Sequence, residues 1–403
     1  MRVRSIKVKN YKALKDVEIR EIPGFAVFIG ANGTGKSTLI DLFGFLKACL
    51  KENARAAFLE RGGFRQVRSR GAEGETILIE LKIDLDFRSE AKSRLVTYSV
   101  EFSEEGPKVV VEREILHWKR GSYGRPFHFI DFRRGEGRAI AESFDAFDKD
   151  VSDEDLKVES QALDRPDLLA LKGLGQFRRF DAASQLRDLI ENWSVSNIVI
   201  NDLRRDSDGG PAEHLSTSGD NVALFAQYLK DYHEGVFANV VQAMAERVPG
   251  VDEVTPDPTG DGRVLLRFRD RNFTEGFISR LVSDGTIKMF AYLALLHDPD
   301  PHPLLCIEEP ENQLYPSLMN VLAEEFAAYA ERRKGEAQVF VTTHSPDFLN
   351  AVPLDSIYWL RKESGLTRIQ RAADDAQLRA FVAEGDKPGW LWQQGLFSGA
   401  NPA

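Results

Sequence analysis

The sequence predicts an α/β fold built around a phosphate-binding loop, with an N-terminal antiparallel β-subdomain and an inserted β/helical lobe. Three observations predict it. Gly30-Ala31-Asn32-Gly33-Thr34-Gly35-Lys36-Ser37-Thr38 fits the pattern G-x-x-x-x-G-K-[ST] and stands between an apolar run and an amphipathic segment. Two further apolar runs, Leu304-Leu305-Cys306-Ile307 and Val339-Phe340-Val341-Thr342-Thr343, end in Glu308-Glu309 and His344. Between these regions, residues 76–87, 95–103 and 108–118 alternate at period two, which describes an antiparallel meander.

The loop comes first because its context gives it meaning. Phe25-Ala26-Val27-Phe28-Ile29 reads as a buried strand, and residues 37–50 read as a helix. In a strand–loop–helix of this kind, glycines turn backbone N–H groups toward a phosphate chain, and the helix N-terminus adds partial positive charge. Lys36 is expected to reach the β- and γ-phosphates of a nucleotide and Ser37 to ligate Mg²⁺. Asn32, Gly33, Thr34, Gly35 and Thr38 complete the expected nucleotide-binding set.

The 403 residues suffice for one large domain or two to three ordinary ones, and 42% of them are apolar, so a substantial core is available. Cys49 and Cys306 both sit in apolar runs and read as small core residues of a reducing compartment. No apolar run approaches a membrane span, and the N-terminus lacks a signal-peptide core, so a cytoplasmic protein without a membrane partner is expected. The net charge of −10 argues against a generic nucleic-acid binder, but the charge is uneven. Residues 1–140 carry 27 Lys and Arg against 19 Asp and Glu; the rest carry 26 against 44. The N-terminal part therefore has the balance of a basic face, or of ordinary solvated charge.

In chain order, residues 2–9 and 16–21 predict two antiparallel strands joined by a turn at 10–13. The helix after the loop ends near Asn53. Residues 61–71 form a glycine-flanked loop with four arginines, Arg61, Arg65, Arg68 and Arg70. Residues 140–193 read as mixed and mostly helical, with an acidic patch at Asp153-Glu154-Asp155. A β-branched run follows at 195–200, then a loop rich in Gly, Ser and Asp at 206–220. One long helix is predicted over 221–247, closed by Pro249. A hairpin-like stretch at 264–268 precedes Leu281-Val282-Ser283-Asp284-Gly285-Thr286, which opens an apolar helix reaching His297. Helices are also predicted from Pro316 to Arg333 and from Pro346. The expected division is 1–140, 141–262 and 263–403, all within a single head.

Three strand ends thus carry polar groups, and in an open parallel sheet ligands bind at the carboxyl ends of strands. Glu308 suits metal binding, Glu309 suits orienting an attacking water, and His344 suits contact with a γ-phosphate. This order of motifs resembles the ABC-type ATPase heads of the SMC/RecF-like group, a P-loop NTPase fold. It is most similar to small stand-alone AAA-family (AAA_21-like) ATPases related to the ATPase part of OLD-family proteins. The resemblance spans residues 1–71 and about 263–361, and the middle in outline. It implies that residues 30–38 are the Walker A motif and 304–309 Walker B. It makes 310–316 the D-loop, His344 the switch histidine, and Ser283 and Gly285 a signature that caps a nucleotide held by a second copy. It also implies Gln66 as a Q-loop metal ligand beside Ser37 and Glu308. Glu308 stands where most ABC ATPases have Asp. OLD proteins carry a nuclease domain after the ATPase, whereas only about 60 residues follow His344 here. Trp390 and Trp392 in that tail read as a core or interface anchor.

The implied activity is Mg²⁺-dependent ATP hydrolysis, with a homodimer formed through ATP sandwiched between heads. Two outputs stay open: action on DNA in repair or phage defence, or control of a partner effector protein without nucleic acid.

Overall fold

A computed structural model describes residues 1–86, 93–119, 127–140, 158–205, 207, 208, 210, 212–333 and 335–400. The acidic patch at 153–155 lies outside the described residues.

Strands β1 (Arg2–Tyr11) and β2 (Leu14–Ile19) form the expected hairpin, and β3 (Phe25–Ile29) leads into the phosphate loop. The helix Lys36–Lys51 follows. Asn53 then caps a short helix, Ala54–Leu59, by accepting from the Ala56 N–H, so the chain restarts where the first helix stops. The meander consists of β4 (Ile77–Asp86), β5 (Ser93–Glu105), β6 (Lys108–Trp118), β7 (Phe127–Arg133), β8 (Glu136–Ile140) and β9 (Val158–Ala162). With β1 and β2 it makes an eight-stranded antiparallel sheet in the order β2-β1-β4-β5-β6-β7-β8-β9. On β4 the alternation is complete: Ile77, Ile79, Leu81, Ile83 and Leu85 are all buried.

β10 (Ser194–Ser196) joins a different sheet. A small sheet comes next: β11 (Ser207–Asp208), β12 (Val251–Pro258), β13 (Arg263–Asp270) and β14 (Phe277–Ile278). The chain then supplies β15 (Leu304–Glu308), β16 (Gln338–Thr343), β17 (Ile357–Glu363) and β18 (Leu366–Arg371). The central sheet has the order β10-β15-β16-β3-β17-β18, parallel except for the last pair. Every residue of β3 and of β16 is buried, as expected of parallel strands covered on both faces. Period two assigns each side chain to one face. Ala26, Phe28, Cys306 and Phe340 enter one core with the meander; Val27, Ile29, Leu305, Ile307, Val339 and Val341 enter a second core with the later helices. The Gln338 side chain ties the two sheets together, accepting from the Val3 N–H at 2.6 Å and donating to the Val3 and Pro23 carbonyls at 3.1 Å.

Of three features in the middle of the chain, the second corrects an expectation. The described residues of 141–262 contribute to both cores. Residues 169–193 pack into the meander's core, and 198–254 into the second core. Buried Glu114 on β6 pins the first part, accepting from Tyr98 Oη at 2.9 Å and from the Ala170 and Leu171 N–H groups. The single helix over 221–247 is two, Val222–Tyr232 and Glu234–Arg247. His233 between them leaves the helical region at φ −138°, its ring within 3.2 Å of Tyr228 Oη, and Gly235 weakens the continuation. The hairpin near 264–268 has as its partner β12, which carries Pro256 and Pro258; β12 is an edge strand, where proline costs no ladder bond.

Trp392 is buried and donates from Nε1 to the Ala400 carbonyl, so it anchors the tail to the core, while Trp390 is half exposed. No described helix is long and apolar enough to cross a membrane.

Candidate functional site at the carboxyl ends of the central strands

The pairing of β15, β16 and β3 decides where the site lies. In register, Glu308 faces Thr342, Thr342 faces Phe28, and Thr343 faces Ile29. All three strands run the same way, so the phosphate loop, Glu308-Glu309 and His344 emerge at one edge.

The loop turns on glycines. Gly33 and Gly35 have φ of +75° and +106°, a region that suits glycine. A Cβ on Gly35 would also come 2.7 Å from Thr367 Oγ1, which itself donates to the Thr34 carbonyl. The Thr34 hydroxyl donates to the Ala31 carbonyl at 2.8 Å. Lys36 is buried, and its Nζ donates to the Gly30 carbonyl at 2.7 Å and to that of Ala31 at 3.2 Å. Burial lowers its pKa, opposed by the charges of Glu309 and Glu311. The ammonium is thus folded over the loop, with two carboxylates nearby.

Burial raises the Glu308 pKa, and the neighbouring Ser37 hydroxyl opposes that shift. Glu309 has φ +41°, unusual for a residue with a Cβ. Its N–H donates to the Thr342 carbonyl at 2.9 Å, which holds the turn. Its two carboxylate oxygens have separate partners: Oε1 lies 2.9 Å from His344 Nε2, and Oε2 accepts from Asn312 Nδ2 at 3.1 Å. Burial and the Lys36 charge lower the His344 pKa against the opposing pull of Glu309, which favours the neutral ring.

Two site residues escaped the sequence reading. Glu311 is largely buried and accepts from the His344 N–H, so it fixes the backbone that presents the imidazole. Among the described residues its Oε2 has no hydrogen-bond partner. Lys288 lies on the helix Asp284–Leu296 with only 2% of its surface exposed, and its Nζ donates to the Asn312 carbonyl at 2.7 Å. Burial pushes its pKa down to about 8. A lone lysine within an apolar helix was the available signal. An open cleft of about 440 Å³ adjoins the site, lined by Asn197, Asn201, Lys288, Glu309, Asn312 and Gln313 among others.

The remaining candidates stand differently. Ser283 caps the helix that carries Lys288; its Oγ accepts from the Thr286 N–H at 3.2 Å, and its surface is exposed. Gly285 packs under Tyr315, where a Cβ would come within 3.4 Å of the ring. Gln66 is exposed on the short helix Phe64–Val67, and its Oε1 accepts from Arg70 at 3.2 Å. Among the described residues no hydrogen bond joins Gln66 to Ser37 or Glu308. Of the four arginines of this loop, Arg61 turns inward to Asp41 at 2.8 Å, beneath the helix that begins at Lys36. Asp41 also accepts from Tyr11 Oη and Lys12 Nζ.

The donor set of Ser37 and Glu308, a hydroxyl beside a carboxylate, fits a hard divalent cation such as Mg²⁺.

The phosphate loop opening a helix, with the acidic pair and the histidine on neighbouring parallel strands, is matched by what the chain is similar to. Residues 25–350 match a family described as "AAA domain, putative AbiEii toxin, Type IV TA system". The chain belongs to the AAA_21 family. It is 26% identical over 137 residues to the DNA replication and repair protein RecF of Heliobacterium modesticaldum, a match that covers 32% of this chain and 37% of that relative. Among solved structures it is similar to an SMC head bound to the C-terminal winged-helix domain of ScpA. There the TM-score is 0.56 at 12% identity, covering 92% of this chain and 98% of the other. An SMC head from Pyrococcus furiosus with an extended coiled coil, bound to the C-terminal domain of ScpA, gives 0.54 at 12% identity over 95% and 98%. The fold is therefore that of an SMC head.

Proposed function

We propose that this AAA_21 member binds ATP at residues 30–38 and hydrolyses it with Mg²⁺. The observation that carries the reading is the Glu309–His344 pair, set at 2.9 Å beside the buried Lys36. Lys36 exchanges its carbonyl partners for phosphate oxygens, a stronger, charge-assisted bond. Asn32, Gly33, Thr34, Gly35 and Thr38 wrap the phosphates, and Ser37 and Glu308 hold the metal. When bound, Mg²⁺ neutralises charge on the phosphate oxygens. Glu309 accepts a hydrogen bond from the attacking water and orients it. Neutral His344 gives its one N–H to Glu309 in the free chain, and that N–H turns to the γ-phosphate as the nucleotide arrives. Gln66 is the third proposed metal ligand, released from Arg70 to take that role.

Two heads pair around two nucleotides, each Ser283 and Gly285 capping the γ-phosphate held by the partner. Support comes from Ser283 standing exposed at a helix N-terminus, where a hydroxyl and free N–H groups favour an anion. One chain supplies two half-sites, which a two-fold axis brings together.

The head works in the cytoplasm, and its output is DNA-associated repair or phage defence. Similarity to a RecF protein and the exposed Arg65 support DNA as the partner. The alternative is a switch that controls a partner effector. It is favoured by Arg61 facing inward and by the toxin–antitoxin wording of the family description. The test is phosphate release from ATP. Wild type should turn over with Mg²⁺ and stop with chelator, and Lys36→Ala should lose both turnover and nucleotide binding, the latter by at least about a hundredfold. Undiminished binding by Lys36→Ala would reject the site.

A further inference from the structure

A cluster at the opposite end of the central sheet has no part in the chemistry above. His302 lies just before β15, whose far end carries Glu308; six residue steps of extended chain separate them by about 20 Å. Asp298 follows the C-terminus of the helix Asp284–Leu296, and His214 lies on the segment leading to the helix Val222–Tyr232. One ligand atom from each of His214, Asp298 and His302 lies within 4.8 Å of the others.

The hydrogen bonds around the cluster prepare it. His302 Nδ1 stands 2.9 Å from the Asn192 carbonyl, which only accepts, so Nδ1 carries the proton and Nε2 keeps its lone pair. That is the arrangement of a metal-ligating histidine oriented by a backbone carbonyl. His214 Nδ1 stands 2.8 Å from Asp298 Oδ2, and Asp298 Oδ1 accepts from the Asp300 N–H at 3.0 Å. The two imidazole rings are 5.2 Å apart. Asp298 is 1% exposed, and among the described residues no lysine or arginine bonds it, whereas His214 is 39% exposed and opens the cluster to solvent.

We propose that His214, Asp298 and His302 bind a divalent transition-metal ion, Zn²⁺ or one of similar preference. Two imidazole nitrogens and one carboxylate oxygen select such an ion over Mg²⁺ or Ca²⁺. Ligand atoms around tetrahedral zinc stand about 3.4 Å apart, so small rotations of the two rings close the site. Three protein ligands leave one position for water or Asp300. The ion clips the 212–214 segment to the end of the helix whose other end carries Ser283, and so stiffens that helix's base.

The test uses the full chain, stripped with chelator and free of nucleotide, titrated with Zn²⁺ by calorimetry. One equivalent should bind at about micromolar Kd or tighter, unaffected by millimolar Mg²⁺. His214→Gln and His302→Gln should each weaken it by about tenfold or more, and Co²⁺ should give tetrahedral ligand-field absorption in wild type only. Zn²⁺ should also raise the melting temperature of wild type but not of His214→Gln. His214 is partly exposed, so its variant folds, as circular dichroism checks. No binding by wild type at about 100 µM Zn²⁺, or binding and stabilisation unchanged in the variants, would overturn the site.

Discussion

Glu309 Oε1 and His344 Nε2 meet at 2.9 Å across the ends of two neighbouring parallel strands. The contact needs an uncommon backbone: Glu309 sits at φ +41°, held by its N–H bond to Thr342. Such a conformation costs on the order of 1 kcal/mol or more, and persists because the surrounding bonds over-determine it. It aims one carboxylate oxygen at His344 and the other at Asn312. Asn312 in turn offers its carbonyl to Lys288. A chain of contacts therefore runs from the helix that begins at Ser283 to the carboxylate proposed to orient water.

Lys288 sets one pH dependence. Its folded pKa of about 8 lies below the ordinary lysine value of 10.5. Between those values the unfolded chain holds a proton that the folded chain has released, so this group makes stability rise with pH across that window. Below pH 8 both states hold the proton and the cost of the buried charge is complete. Lys288→Met should remove this slope, on the order of 3 kcal/mol at most. Urea midpoints of both proteins at about pH 7.5 and pH 10 measure it; parallel behaviour would contradict the burial argument.

The arginine loop separates the two outputs. Arg65 is 78% exposed and bridges Glu104, Arg68 lies over the Phe64 ring, and Arg70 bonds Gln66. Replacing these three with Glu should abolish ATP-stimulated DNA binding and leave basal turnover intact. Each lost phosphate contact should flatten the salt slope by about one unit. If wild type shows no DNA binding at low salt with ATP, the effector reading replaces the DNA reading.

Pairing of heads should follow the γ-phosphate. Light scattering of the Glu309→Gln protein should show a shift toward dimer with ATP and none with ADP. Ser283→Arg should abolish the shift by placing a bulky side chain at the exposed cap. A monomer in every nucleotide state, with normal turnover in wild type, would exclude the sandwiched dimer.

The frame of the site was legible because its strands are covered on both faces. Buried parallel strands read as unbroken apolar runs, so 25–29, 304–307 and 339–343 stood out, each ending in polar residues. Ile77 to Leu85 were legible by period two. The break at His233 was hidden because Phe225, Leu229, Val240 and Met244 keep helical spacing across it and all enter one core. β12 was hidden because its prolines look like breakers, and only its edge position tolerates them. Glu311 sits in a turn, and its burial comes from tertiary placement against β16, which local sequence does not reveal. The φ of Glu309 likewise arises from its bond to Thr342, thirty-three residues away.

The central claim is that Glu309 orients the attacking water while other residues hold the nucleotide. Single-turnover hydrolysis by Glu309→Gln, with ATP binding measured on the same preparation, tests it most directly. Binding should stay within a few-fold of wild type while the hydrolysis rate falls by about 10²–10⁴-fold, leaving ATP rather than ADP bound. Wild-type hydrolysis by the variant, or equal loss of binding and turnover, would contradict the assignment.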